Sequence, residues 1–201
     1  VVDNTGEESF TGHLTLYGGN AVVHTEDVTV DAGRAVSVPL MEGSCGIFQH
    51  DTGEVYIKEV FVNNVQQGIA EFPLEASADT TIHFLLPGYL ADDLTWMGLA
   101  MMNPQDVVIN YTMRAIGPDG AVLDEIVGIL GGLDRTVGLL SVYFPYLDFH
   151  DVARIDVVAD QPVCGLNISG YENQRLLFTP AIGNTPDPGP LHVTHIATEW
   201  P

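Results

Sequence analysis

The chain repeats itself at an interval of about one hundred residues, and a repeat of that length restricts the fold to tandem copies of one small unit. Asn4 falls on Asn103, and Phe10, Leu14 and Leu16 fall on Ile109, Met113 and Ala115. Asn20-Ala21-Val22-Val23 falls on Gly120-Ala121-Val122-Leu123, and Gly33-Arg34-Ala35-Val36 resembles Asp134-Arg135-Thr136-Val137. Val60 to Gly68 resembles Val157 to Gly165, and His50-Asp51 and His150-Asp151 stand at corresponding places, each after a Phe and before a strand.

Within each copy the pattern has period two. Ile109, Tyr111, Met113 and Ala115 alternate with Asn110, Thr112, Arg114 and Ile116, as in a strand with one buried face. Asn103-Pro104 and Pro118-Asp119-Gly120 close that strand, since proline presets φ and glycine accepts a positive one. Further strands are expected at Phe10–Tyr17, Ala21–Val30, Ala35–Leu40, Glu54–Val62, Gln67–Phe72, Thr81–Leu86, Trp96–Met102, Ala121–Leu130, Arg135–Val142, Val152–Ala159, Val163–Ser169 and Arg175–Thr179, with a loop around Gly43 to Gly46. Short strands at this spacing predict an all-β chain of two tandem immunoglobulin-like β-sandwiches.

The first copy lacks the strands that precede Asn103 in the second, which would leave an open sheet edge. Beyond the Pro/Gly-rich linker, residues 191–201 resemble Thr81 to Trp96, so the C-terminal strand is expected to complete the first sandwich, within the chain or by self-association. The division expected is residues 1–77 plus 190–201 for the first sandwich, 78–182 for the second and 183–189 for the linker. Trp96 and Trp200 then occupy equivalent places, and Trp96, Trp200, Gly98, Asp119 and Gly120 are expected to serve structure.

Twenty-seven acidic against six basic residues give a formal net charge of −21, which repels nucleic acid and anionic membrane surfaces. No apolar run reaches the length that crosses a bilayer. The opening Val1-Val2-Asp3-Asn4 reads as the end of a strand entering a turn, as in a chain whose export signal is already removed. A saline or extracellular setting fits the charge. Cys45 and Cys164 are too far apart for a metal or redox motif, leaving two buried thiols or one disulfide.

Trp96-Met97-Gly98-Leu99-Ala100, Asn103, Asp119-Gly120, Phe144-Pro145, Ile155-Asp156-Val157 and Gly165, in this order, resemble the tandem immunoglobulin-like sandwich repeats of secreted and surface-exposed bacterial proteins. That resemblance implies a spacer or interaction module and brings no catalytic residues.

No phosphate loop, nucleophile elbow or EF-hand loop is present. Neighbouring His and Asp on an extended chain point to opposite faces, so His50-Asp51 and His150-Asp151 read as turn residues, and His192 and His195 do not make a zinc pair on a strand. Asp148 and Asp151, with Asp92 and Asp93, are candidate oxygen ligands for calcium. Tyr143, Tyr146 and Tyr171 are candidate ligand-binding aromatics, the Tyr143-Phe144-Pro145-Tyr146 loop being the place for an exposed patch. The function expected is therefore a non-catalytic structural, adhesive or protein-interaction module of a secreted or cell-surface protein. Its partner would be a protein or glycan at that surface. The rival readings are a carbohydrate-binding module and a hydrolase using surface carboxylates.

Overall fold

A computed structural model describes residues 1–39, 45–50, 55–63, 68–73, 78–86, 95–171 and 175–183. The expected tail strand, with Trp200, lies outside the described residues. Those described are all-β apart from two single turns of helix, Leu140–Tyr143 and the 3-10 turn Phe149–Asp151.

The N-terminal half contains β1 (Val2–Asn4), β2 (Phe10–Gly18), β3 (Ala21–Val30), β4 (Ala35–Val36), β5 (Cys45–Gln49), β6 (Val55–Asn63) and β7 (Gly68–Pro73). One sheet runs β4-β1-β6-β7 and the other β3-β2-β5. Alternation sends Phe10, Leu14 and Leu16 inward from β2, where they pack with Val2, Val28 and Val30 in one core. Val36, Phe48, Val55 and Ile57 close over that core from both sheets.

The C-terminal half contains β8 (Asp79–Leu85), β9 (Thr95–Met102), β10 (Ile109–Ile116), β11 (Val122–Leu130), β12 (Arg135–Leu139), α1 (Leu140–Tyr143), β13 (Arg154–Tyr171), β14 (Arg175–Pro180) and β15 (Ile182–Gly183). β13 belongs to both layers. Its first part, Arg154 to Ala159, lies between β10 and β8, and its second part, Cys164 to Tyr171, lies between β9 and β14. The strand changes layer where Pro162, without an N–H, sits inside the register shift between Val158 and Val163. Ile82 and Phe84, Met97 and Leu99, Ile109 and Met113, Ile155 and Val157 bring the two layers together over a second core.

The ladders of the two halves match strand for strand. β1, β2, β3 and β4 pair as β9, β10, β11 and β12 do; β5 takes the place of the first part of β13, β6 of the second, and β7 of β14. Asn4 and Asn103 make the same bonds. Asn4 Nδ2 donates to the carbonyls of Glu8 and Val30 at 2.8 and 3.0 Å while its Oδ1 accepts from Gly6 N at 3.0 Å. Asn103 Nδ2 donates to those of Val107 and Gly131 at 2.7 and 2.9 Å while its Oδ1 accepts from Gln105 N at 3.0 Å. Each ties a loop to the end of the following hairpin, and both are almost fully buried. Among the described residues every strand ladder stays within one half, and the backbone of β14 runs beside that of β7.

Several sequence expectations need correction. Cys45–Gln49 is a strand rather than part of a loop, its β pattern masked by Gly46. The strands expected at Val152–Ala159 and Val163–Ser169 are one continuous strand, and the strand expected to reach Val142 turns helical at Leu140. The pairing of Val60–Gly68 with Val157–Gly165 is out of register, because Ile57 pairs with Val2 as Gly165 pairs with Met101, and that of Gly33–Val36 with Asp134–Val137 is out by one, because Ala35 pairs with Asp3 as Arg135 pairs with Met102. His50 and His150 are likewise not equivalent: His50 follows β5 with its ring 6.2 and 5.9 Å from those of Phe10 and Phe48, whereas His150 lies in a 3-10 turn ahead of β13.

Aromatic rings fill the two cores from different strands. Gly12 on β2 lies under the Phe48 ring, and a Cβ there would meet Phe48 Cζ at 2.1 Å. In the C-terminal half Tyr111 takes the place of Gly12 and covers Gly128, where a Cβ would meet Tyr111 Cζ at 2.3 Å. Burial pushes the Tyr111 phenol above its ordinary value of 10.0, with a smaller contribution from Tyr143. The folded state therefore holds this proton more tightly than the unfolded state, so stability from this group is intact below about pH 10 and falls as pH rises above it. Tyr111→Phe is expected to flatten the alkaline loss of stability, read as denaturation midpoints between about pH 9 and 11.5.

Candidate interaction surface

The two sheets of the C-terminal half present different outer faces. In the sheet β12-β9-β13-β14, Met97, Leu99 and Met101 point into the core, so Trp96, Gly98, Ala100 and Met102 point out. Register places Ala100 between Val137 and Leu166, and Gly98 between Leu139 and Ile168. Trp96 lies beside Gly170, and a Cβ on Gly170 would come 2.5 Å from the Trp96 ring, so the indole covers the glycine. Met102 lies beside Cys164, whose Sγ is 3.9 Å from the Met102 carbonyl, and beside Arg135. Arg135, at one corner, is the single charge across β12, β9 and the second part of β13 on this face, in a chain of net charge −21. Val137 and Leu139, on the outermost strand, are 55% and 43% exposed.

The equivalent face of the N-terminal half is charged. Asp3 stands where Met102 does and Lys58 where Leu166 does, and Ala35 replaces Arg135. Among the described residues the same backbone thus carries Asp3 and Lys58 in one copy where the other carries Met102 and Leu166, so apolar side chains at those two places are not a requirement of the fold.

The opposite sheet of the C-terminal half is crossed by a polar row, Glu125, Arg114, Asp156 and His83, on four adjacent strands. Arg114 Nε donates to Glu125 Oε2 at 2.6 Å. Asp156 is held on both oxygens: Oδ1 meets His83 Nδ1 at 2.6 Å and accepts from Arg154 Nε at 2.8 Å, and Oδ2 accepts from Arg154 Nη2 at 3.2 Å. Such a carboxylate is a clasp across the sheet. Val127 and Ile129 are exposed on β11, both on one side of this row.

The candidate aromatics separate. Tyr143 is turned inward over Gly138, with its hydroxyl 2.9 Å from Thr136 Oγ1, so it fills space left by a glycine and does not form a platform with Tyr146. Tyr146 is 98% exposed. Tyr171 pairs through its backbone with Thr95, and its side chain lies outside the described residues.

Asp148 caps the Phe149–Asp151 turn, its Oδ1 accepting from His150 N at 3.0 Å. Asp151 is exposed, and Asp92 and Asp93 lie outside the described residues. Among the described residues no three His, Cys, Asp or Glu side chains gather to hold a metal ion. Asp119 and Gly120 make the β10–β11 turn: Gly120 has φ +84°, and Asp119 Oδ1 accepts from Ala121 N at 3.0 Å. Trp96 lies on the outer face rather than in the core, beside a buried Gly98.

No family model, curated protein or solved structure matches this chain. Among the described residues no helix is long and apolar enough to cross a membrane. The apolar face was present in the sequence as a different signal from alternation. From Trp96 to Met102 there is no polar side chain, which marks a strand whose two faces are both covered.

Proposed function

We propose that the chain is a non-catalytic interaction module of a secreted or cell-surface protein, built of two immunoglobulin-like β-sandwiches in tandem. Its contact surface is the outer face of β12-β9-β13-β14. The observation that carries this reading is the contrast between that face and its charged counterpart in the N-terminal half. Pairing of β9 with β12 and of β10 with β13 in opposite layers, around one core, supports the sandwich assignment.

The occupant is the same face of a second copy. Two sheets pack flat at about 10 Å, and the rest of a chain of net charge −21 repels its like. The face is the place where two copies meet without opposing carboxylates. Four strands and four rows of residues span roughly 20 Å by 20 Å, or about 800 Å² for a face-to-face pair, at the low end of specific interfaces. Association is therefore weak, which suits adhesion through many modules.

Salt screens the acidic surfaces without weakening the apolar contact, so dimerisation is expected to strengthen between about 0.05 and 0.5 M NaCl. Sedimentation velocity measures it. Replacing Val137 and Leu139 together by Glu, on an exposed edge strand, is expected to keep the chain monomeric at every salt concentration with its melting temperature little changed. A wild-type chain that stays monomeric throughout, or a double variant that dimerises equally well, overturns the reading. Saturable glycan binding lost in Tyr146→Ala would assign the contact to carbohydrate instead.

A further inference from the structure

Asn-X-Ser/Thr, the pattern that N-linked glycosylation requires, occurs twice in the chain, at Asn110-Tyr111-Thr112 and at Asn167-Ile168-Ser169. The fold separates the two. Asn167 is buried with its Nδ2 donating to the Leu85 carbonyl at 2.8 Å, and Ser169 is buried as well, so no sugar fits there in the folded chain. Asn110 is exposed on β10, and the period of two puts Thr112 on the same outer face.

The surroundings of Asn110 are apolar and open. Across the ladder Ile129 stands opposite Asn110 and Val127 opposite Thr112, and they are 71% and 77% exposed. Val108, two residues before Asn110, is 64% exposed. The fold does not require apolar side chains here, because the N-terminal half is polar at every one of these places. Thr11 and His13 stand for Asn110 and Thr112, Thr29 and Asp27 for Ile129 and Val127, and Ser9 for Val108. Those side chains bond one another, Thr11 Oγ1 with Thr29 Oγ1 at 2.8 Å and His13 Nδ1 with Asp27 Oδ1 at 2.7 Å. The glycosylation pattern and the exposed apolar neighbours thus occur together in one copy, and the other copy has neither at these places.

We propose that Asn110 carries an N-linked glycan whose first sugars lie over Ile129 and Val127. This rests on the reading of the chain as exported, since the transferases that attach such glycans act outside the cytosol. A sugar ring has an apolar C–H face and a polar rim, so it takes aliphatic side chains out of water while its own hydroxyls stay hydrated. In the transfer, Asn110 Nδ2 bonds C1 of the first sugar of a lipid-linked oligosaccharide and the bond from C1 to the lipid phosphate oxygen breaks. The phosphate leaves with that electron pair, and Nδ2 gives up one of its two protons. The remaining proton is available for the bond to Asp160 Oδ2, 2.9 Å away, while Asn110 N donates to Asp160 Oδ1 at 3.1 Å, so one carboxylate holds the linkage against the sheet. The glycan sits on the layer opposite β12-β9-β13-β14 and leaves that face clear for a second copy.

Peptide mass spectrometry of the full chain isolated from its native source, with its compartment recorded, tests the site. The peptide containing Asn110 is expected to carry a saccharide and the peptide containing Asn167 none. An exported chain unmodified at Asn110, or modified at Asn167, overturns the proposal. A chain found only in the cytosol overturns the exported reading and the proposal with it.

The packing is tested on the full chain secreted by a eukaryotic host and on the same sequence made in a host without the transferase. Secreted wild type and Thr112→Ser are expected to be glycosylated, and Asn110→Gln and Thr112→Val not. The glycan is expected to raise the melting temperature by about 2–4 °C in the wild-type chain, and by less than about 1 °C once Val127→Asp and Ile129→Thr install the residues of the other half. A secreted wild-type chain without glycan, or equal shifts in the two chains, overturns the proposal. Neither measurement involves Val137 or Leu139, so its failure is separate from failure of the face-to-face contact.

Discussion

Asn103→Ala is expected to destabilise the C-terminal half by about 3–5 kcal/mol, because it strands two buried carbonyls and one N–H at a single step. The amide side chain alone joins Val107, Gly131 and Gln105, and it is fully buried. Alanine removes every one of those bonds. Asn4→Ala is expected to have an effect of similar size on the N-terminal half, since the same three bonds are lost there. The two halves have separate cores, so urea unfolding of each variant is expected to show one early transition and one near the wild-type midpoint. Exchange of amides in β10 and β2 identifies which half unfolds first. A loss below about 1 kcal/mol would mean that the asparagines are not the ties that join loop to hairpin.

Gly132→Val is expected to cost about 3 kcal/mol or more, for a reason found in the same loop. A Cβ at position 132 would lie 2.5 Å from the backbone carbon of Asp106, 2.6 Å from its oxygen and 2.9 Å from Val107 N. Backbone has no rotamer by which to withdraw, so the loop following Asn103 must shift, and with it the carbonyl that accepts from Asn103. The adjoining Leu133 already holds φ +53°, where the N-terminal half has Gly33 at φ +63°. The turn therefore has little slack. Ala32, exposed at the equivalent place in the other half, is the internal comparison, and Ala32→Val is expected to change stability by less than about 0.5 kcal/mol. Thermal and urea denaturation of the two variants test the pair together.

Asn4 and Asn103 also show how far the sequence could be read. A buried amide that ties a loop needs one residue type at one place, so it survives as a visible match between copies that share few other residues. Alternation in β2 and β10 was legible because each covers a core with one face only. β5 was not, because Gly46 carries no β signal and the core is filled there by Phe48 reaching across to Gly12. The continuity of β13 was hidden by Gln161-Pro162, which reads as a turn locally and is instead the crossing between two layers.

The misplacement of His50 against His150 has the same origin. Short apolar stretches resemble one another at several offsets, and only ladder pairing fixes which is right. A loop rich in aromatics suggests an exposed Tyr143, but Gly138 opposite leaves a space that its ring fills. For the contact surface, the informative positions were those where one copy is charged and the other apolar, Asp3 with Met102 and Lys58 with Leu166. That comparison depends on registers that sequence alone did not supply.

The contact proposed between copies of this chain, through one apolar sheet face, is reported residue by residue by concentration-dependent backbone amide shifts. Spectra recorded from about 20 μM to 1 mM at 0.5 M NaCl cover the range expected of a weak interface. Shifts concentrated on Trp96, Ala100, Val137, Leu139, Leu166 and Ile168, with Asp3, Tyr56 and Lys58 unmoved, are the result predicted. Shifts confined to β2, β3 or β11, or no change across the concentration range, would contradict it.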